Sequence, residues 1–260
     1  MSTRLGQNFL RDKKITEKII QSANLQPDNF VIEIGPGEGV LTEKLAAEVK
    51  QVVAIEIDQN LIPALQKKLT SNKNVEVIHE DILKINLSKF AISYKLQARS
   101  YKIVANIPYY ITSPIIRLFL EAEIPPQEMI LMVQKEVAQR IVAKPGKMSI
   151  LALAVQYYAQ AQILFLVPAK AFFPVPKVDS AVIKIIPYAK QDDSRKTQKF
   201  FRVVRAGFSA KRKTLANNLA NSFHLSKKDV ESKLNQIKLT PLTRAQELSL
   251  EDWKKLAETM

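Results

Sequence analysis

The chain has 260 residues, is 47% hydrophobic, and carries 39 Lys and Arg against 25 Asp and Glu, for a net charge of +14. That length supports one substantial core with a smaller domain beside it, and the charge points to a polyanionic partner, nucleic acid ahead of an anionic membrane. The absence of cysteine excludes disulfides, thiol nucleophiles and iron–sulfur chemistry, and His79 and His224 alone argue against a histidine metal site, so no metal is expected.

Residues 1–10 hold no apolar run of the secretory kind. The one long uncharged run, Met148 to Ala169, is interrupted by Gln156, Gln160, Gln162 and Pro168. It reads as a helix to about Tyr158 followed by a strand at Ile163 to Val167, not as a membrane span. A soluble cytoplasmic protein with no membrane contact is expected.

In chain order, the polar stretch Gly6-Gln7-Asn8-Phe9-Leu10 precedes a helix with Asp12 as N-cap and Ile15, Ile19 and Ile20 at helical spacing. Phe30 to Ile34 is a short apolar strand. It runs into Gly35-Pro36-Gly37-Glu38-Gly39 and then a helical pattern at Leu41, Leu45 and Val49. A strand, a glycine-rich turn and a helix let backbone approach a nucleotide-like ligand closely. The third glycine of a dinucleotide fingerprint would fall on Val40, so no pyrophosphate cradle is indicated and a nicotinamide dehydrogenase is disfavoured. The next strand, Val52 to Ile57, brings Glu56 to its carboxyl end, 21 residues beyond Gly35, where an acid can accept both hydroxyls of a ribose. Val75 to Ile78 ends at Glu80-Asp81-Ile82; a carboxylate there can receive an adenine amino group, with Ile57 and Ile82 on the two faces of the ring.

Tyr101 to Ala105 is the fourth strand, and it delivers Asn106-Ile107-Pro108-Tyr109. Four successive strands thus present Gly35, Glu56, Asp81 and Asn106 at one edge of a sheet, the edge where open α/β sheets place their chemistry. An exocyclic amino nitrogen is a poor nucleophile because its lone pair is delocalised into the ring. Two acceptors, the Asn106 amide oxygen and a backbone carbonyl near Ile107 or Pro108, can favour its attack, while Pro108 stiffens the turn and Tyr109 offers a face for a flipped-out base. Read without further context, the same four residues also suit a strand-ending turn with a half-buried tyrosine.

Further along, Ala171 to Ala181 contains Pro174 and Pro176 and forms an extended loop able to close over a pocket. Phe172 can cover the second face of a base stacked on Tyr109, or be a core residue pinned beside prolines. Near Gln191 to Ser194 the composition changes, which divides the chain into residues 1–190 and 191–260. Between Ser194 and Lys228 there are ten Lys or Arg and no acid. A run this one-sided is better explained by phosphate contacts than by a solvated helix face. Lys211-Arg212-Lys213 is its densest part, with Arg202 and Arg205 upstream. Leu248, Leu250, Trp253 and Leu256 read as core positions of a last helix.

The glycine loop resembles the S-adenosylmethionine loop of class I methyltransferases, and Asn106 to Tyr109 resembles the Asn/Asp-Pro-Pro-Tyr signature of those acting on exocyclic amines. Taken with Gly-Gln-Asn-Phe-Leu at 6–10, Glu-Ile-Gly-Pro-Gly at 33–37, Phe-Phe-Pro-Val-Pro-Lys-Val-Asp-Ser-Ala at 172–181 and Lys-Arg-Lys-Thr-Leu-Ala-Asn-Asn at 211–218, the chain resembles the KsgA (RsmA) family of small-subunit ribosomal RNA adenine dimethyltransferases over nearly its whole length. The resemblance implies a Rossmann-like α/β fold, a mostly parallel seven-stranded sheet whose last strand is antiparallel, with a small all-helical basic RNA-binding domain after it. It implies S-adenosylmethionine as cofactor, held by Asn8, Leu10, Gly35, Gly37, Glu56, Ile57, Asp81, Ile82 and Asn106. Asn106, Pro108, Tyr109 and Phe172 would serve the target base, and Lys211, Arg212, Lys213, Arg202 and Arg205 the RNA. The implied substrate is two adjacent adenosines near the 3′ end of the small-subunit RNA in a pre-30S particle, and the protein is expected to act as a monomer. The macrolide-resistance methyltransferases of the large subunit share the first motifs, but the Pro-Gly at 36–37 and the 211–218 segment separate this chain from them. A non-catalytic ribosome-assembly factor is the other alternative, against which stand Gly35, Asn106, Pro108 and Tyr109.

Overall fold

The structure, a computed structural model, describes residues 8–189 and 193–260. Gly6 and Gln7 of the first motif, and the division placed at 190/191, lie outside the described residues. Along the chain the elements are β1 (Phe9–Leu10), α1 (Lys13–Ser22), β2 (Phe30–Ile34), α2 (Val40–Glu48), β3 (Gln51–Glu56), α3 (Ile62–Lys68), β4 (Val75–His79), α4 (Leu87–Ser93), β5 (Tyr101–Asn106), α5 (Thr112–Leu120), β6 (Glu128–Gln134), α6 (Lys135–Ile141), α7 (Ile150–Tyr158), β7 (Ala159–Val167), β8 (Phe172–Phe173), β9 (Ser180–Pro187), α8 (Ser194–Gly207), α9 (Leu215–Phe223), α10 (Lys227–Gln236) and α11 (Leu250–Thr259).

The chain forms two compact units: the described residues up to Gln139 with Ala159–Pro187, and Arg140–Tyr158 with Tyr188–Met260. In the first, seven strands take the order β4-β3-β2-β5-β6-β9-β7. The pairs from β4 to β6 are parallel, and β9 runs antiparallel to both its neighbours. The last strand in the chain is therefore the one reversed strand, as expected from the resemblance. Val31, Ile32, Val52, Val53, Ile103, Val104, Ile130 and Leu131 are almost wholly buried. Such continuous apolar runs are what a parallel sheet covered on both faces requires.

The strand expected at Ile163 to Val167 begins four residues earlier, at Ala159, directly after α7. It is an edge strand, so Gln160 and Gln162 point to solvent at no cost and break no rule of burial. At the amino-terminal edge of the sheet Lys102 and Glu128, paired in register, are both buried. Lys102 Nζ lies 2.9 Å from Glu128 Oε1 and donates to the carbonyls of Ala23 and Asn24, while Lys184 Nζ lies 2.9 Å from Glu128 Oε2. The ammonium thus caps the last turn of α1, an arrangement in which each charge is compensated.

The second unit is helical. Trp253, Leu256, Leu219, Leu215, Val230 and Leu234 are fully buried, Leu248 nearly so, and Leu250 half-buried. Trp253 stacks on Phe208 with ring centroids 5.5 Å apart. A Cβ on Gly207 would collide with the Trp253 ring, so only glycine lets that helix end lie so close. No helix among the described residues is long and apolar enough to cross a membrane.

Candidate active site

A single cleft of about 1130 Å³, counted with its open mouth, runs along the carboxyl edge of β2, β3, β4 and β5. It is lined by every residue expected to hold the cofactor or the target base: Asn8, Leu10, Gly35, Gly37, Glu56, Ile57, Asp81, Ile82, Asn106, Pro108, Tyr109 and Phe172. The parallel register places the ends of these strands side by side, since Ile34 pairs with Ile55 and Glu56 with His79. Side chains far apart in sequence thereby converge.

Gly35 follows β2 with φ +67°, a left-handed conformation that favours glycine. A Cβ there would meet no protein atom nearer than 3.8 Å, so the space it leaves belongs to the cleft. Glu56 is buried, and its carboxylate organises the loop: Oε2 accepts from Gly37 N at 3.0 Å and Oε1 from Asp58 N at 2.9 Å. A carboxylate offers about four acceptor positions, so two remain for ligand hydroxyls. Asp81 Oδ1 accepts from Leu83 N at 3.0 Å, which fixes the turn after β4. Ile57 is 44% exposed and Ile82 4%, so one apolar face is open in the free protein and the other is packed.

The Asn106 amide is oriented by its donor end, as Nδ2 gives a hydrogen bond to the Asn8 carbonyl at 3.4 Å. The next amide, Ile107 N, donates to Met132 O at 3.2 Å, anchoring the turn to β6. Tyr109 opens a 3-10 turn, Tyr109–Ile111, and its hydroxyl lies 2.7 Å from the buried Ser180 Oγ at the start of β9. Burial raises the pKa of that phenol above its usual value, and the Ser180 bond lowers it in part. Phe172 is 3% exposed and belongs to the apolar core with Leu10.

Several participants carried no readable signal. β1 and β8 form a small antiparallel ladder, Phe9 against Phe173 and Leu10 against Phe172, and Arg11 N and Asp12 N both donate to Ala171 O. The stretch around Asn8 and the proline loop are thus one roof, closed further by the Arg11–Glu38 ion pair at 2.6 Å. Tyr110, 61% exposed, and Glu33 also line the cleft. Only the placement of Glu33 as an acid within an apolar strand, two residues before Gly35, could have drawn attention to it.

A family profile described as ribosomal RNA adenine dimethylase matches residues 1–260. The chain belongs to the ribosomal RNA adenine dimethylase family. A relative from Dehalococcoides mccartyi, named ribosomal RNA small subunit methyltransferase A, is 46% identical over 97% of this chain and 86% of its own length. The protein of that name from Alkaliphilus metalliredigens is 42% identical, over 99% and 91%. Among solved structures, the 23S rRNA methyltransferase ErmE covers 97% of this chain and 99% of its own, with TM-score 0.76 and 29% identity. A dimethyladenosine transferase from Plasmodium falciparum covers 95% of each, with TM-score 0.77 and 27% identity.

The basic residues expected to meet RNA lie in the helical unit. Arg202 and Arg205 are exposed on α8, and the Arg202 guanidinium sits over the Phe223 ring at 5.0 Å. Lys211, Arg212 and Lys213 are exposed in the turn before α9, whose N-cap is Thr214. The five side chains are thus presented to solvent by a packed helical scaffold.

Proposed function

We propose that this dimethylase transfers methyl groups from S-adenosylmethionine to N6 of two adjacent adenosines near the 3′ end of small-subunit ribosomal RNA, two to each, during assembly of the small subunit. The observation that carries this reading is the meeting of Asn106-Ile107-Pro108-Tyr109 with Gly35, Glu56 and Asp81 in one cleft. When bound, the cofactor supplies an electrophilic methyl group. Glu56 accepts the ribose hydroxyls, Asp81 the adenine amino group, and Ile57 and Ile82 flank the ring. Backbone at Gly35 and Gly37 and the roof at Asn8 and Leu10 enclose the rest.

At the target, the Asn106 amide oxygen and a carbonyl of Ile107 or Pro108 accept hydrogen bonds from the amino group, two in the first transfer and one in the second, so that the nitrogen lone pair is released from the ring as attack begins. Pro108 holds that carbonyl still, and Tyr109 stacks on one face of the base. Phe172 supports the other face from within the core. The basic residues Lys211, Arg212, Lys213, Arg202 and Arg205 hold the RNA backbone through phosphates, a mode suited to a chain of this charge. The protein works as a monomer in the cytoplasm on a precursor particle.

The likeness to ErmE raises a second reading, methylation of the large subunit. Incubating the purified protein with labelled S-adenosylmethionine and, separately, undermethylated small and large subunits decides between them. Label is expected at adenine N6 in the small subunit. Label in the large subunit would favour the second reading, and binding without label would favour an assembly factor.

A further inference from the structure

Of the large apolar side chains that stand exposed among the described residues, two line the cleft, Ile57 and Tyr110. Ile57 is read as one face of the cofactor's adenine site, which leaves Tyr110 without a role. Its backbone is held firmly. Ile107 N donates to Met132 O at 3.2 Å before it, Ile111 N donates to Pro108 O at 3.2 Å across it, and Thr112 Oγ1 donates to Tyr109 O at 3.2 Å where α5 starts. Ile115, Ile116 and Phe119 then fix α5 in the core. The ring is not held. It is 61% exposed, and among the described residues it has neither a ring partner nor a hydrogen-bond partner, whereas the Tyr109 hydroxyl meets Ser180 at 2.7 Å. A flat ring on a fixed stem at a cleft's edge is shaped to receive another flat group.

Tyr109 and Tyr110 occupy adjacent places in one 3-10 turn, in which successive side chains point about 120° apart. The two rings therefore face different partners. We propose that Tyr110 is a stacking platform for the nucleotide next to the target adenosine, so that the cleft grips two consecutive bases, one against Tyr109 and its neighbour against Tyr110. The proposal rests on the reading of the cleft as a site of RNA adenine methylation. A base flipped out of its stack leaves its neighbour with an uncovered face, and the Tyr110 ring replaces the stacking that is lost. Every base has such a face, so the contact tolerates any sequence. It serves both members of an adjacent pair, because whichever adenosine enters the cleft has a neighbour on the same side.

Stacking releases no counterion, which separates this contact from those expected of Lys211, Arg212 and Lys213. Tyr110→Ala should melt close to the parent, because the ring is exposed, and should bind S-adenosylmethionine as the parent does. Its affinity for the undermethylated small subunit should fall about tenfold with the salt slope unchanged. In a single turnover at saturating subunit the rate should return close to the parental one, since a neighbour stacks equally well before and during transfer. Tyr110→Phe and Tyr110→Trp should keep parental affinity. Tyr110→Leu, which has apolar bulk and no ring face, should behave as the alanine variant does.

Parental subunit affinity in Tyr110→Ala overturns the proposal, and so does a leucine variant that binds as well as the phenylalanine one. Weakened S-adenosylmethionine binding would move the ring to the cofactor, and a rate that stays low at saturation would move it to the target base; either result also overturns the proposal. In each of these cases the parent still methylates the small subunit, and the reading of the cleft stands. A parent that methylates no ribosomal subunit overturns that reading and the proposal with it.

Discussion

The helices that start at the cleft and those of the helical unit begin differently. In the helical unit α8, α9, α10 and α11 are each capped by a side chain, from Asp193, Thr214, Ser226 and Ser249, and the last is a reciprocal box with Asp252. At the cleft α2, α3 and α5 follow the Gly35 loop, Glu56 and Asn106, and none has a side-chain cap. A missing cap leaves first-turn amides unsatisfied and costs about 0.5–2 kcal/mol. The sheet edge adds a buried carboxyl without a full set of partners and an open Ile57. The starts of α8 to α11 thus follow local capping rules, while those of α2, α3 and α5 depart from them where a ligand is expected to complete the site.

The sharpest way to break that comparison is at Asn106. If the edge is built for chemistry, Asn106→Ala should fold and bind the subunit, yet transfer methyl groups at least about a hundredfold more slowly, near 2.7 kcal/mol of barrier. The acceptor acts mainly as the amino nitrogen pyramidalises, so the loss should fall on the chemical step more than on RNA binding. Because Nδ2 also holds the Asn8 carbonyl, the assay is a single turnover at saturating S-adenosylmethionine. Near-parental rates would make the turn structural.

What the sequence disclosed follows the same divide. Gly35, Glu56, Asp81 and Asn106 were legible because each ends an apolar run, and a parallel sheet brings such ends together. The ladder of β1 on β8 was not, since strands of two residues have no period to detect. The contact of Tyr109 with Ser180 links distant segments that carry no pairing signal. The network of Lys102, Glu128 and Lys184 was not legible either, because burial in a mutual network cannot be told from exposure by residue type alone. The second unit includes α7 together with the helices after Tyr188, although the apolar composition of α7 resembles that of the sheet unit's elements.

In the helical unit, where α8 to α11 are each capped by a side chain, function has to be carried by charge. Neutralising Lys211, Arg212 and Lys213 together should leave melting nearly unchanged, because all three are exposed. Binding to the undermethylated small subunit should weaken, and its dependence on log salt should flatten by up to about three units of slope, one for each phosphate lost. A variant with the parental slope would return these residues to the role of a solvated face.

The smallest effect is expected at the Tyr109 hydroxyl, and it tests whether the cleft uses the phenol or only the ring. The hydroxyl shares a 2.7 Å hydrogen bond with Ser180, so Tyr109→Phe removes one buried contact, about 0.5–1.5 kcal/mol, and leaves the stacking face in place. Transfer should slow by no more than several-fold. Tyr109→Ala should be worse, since stacking on an aromatic ring is worth about 1–3 kcal/mol per base. Burial lifts the phenol above its ordinary pKa, so it stays neutral through the working range and both the parent and Tyr109→Phe should show the same pH dependence up to about pH 9. If Tyr109→Phe instead lost about a hundredfold in a single turnover, or changed that pH dependence, the hydroxyl would be acting on the transferring group, and the edge would hold one more polar participant than Asn106 and the neighbouring carbonyl.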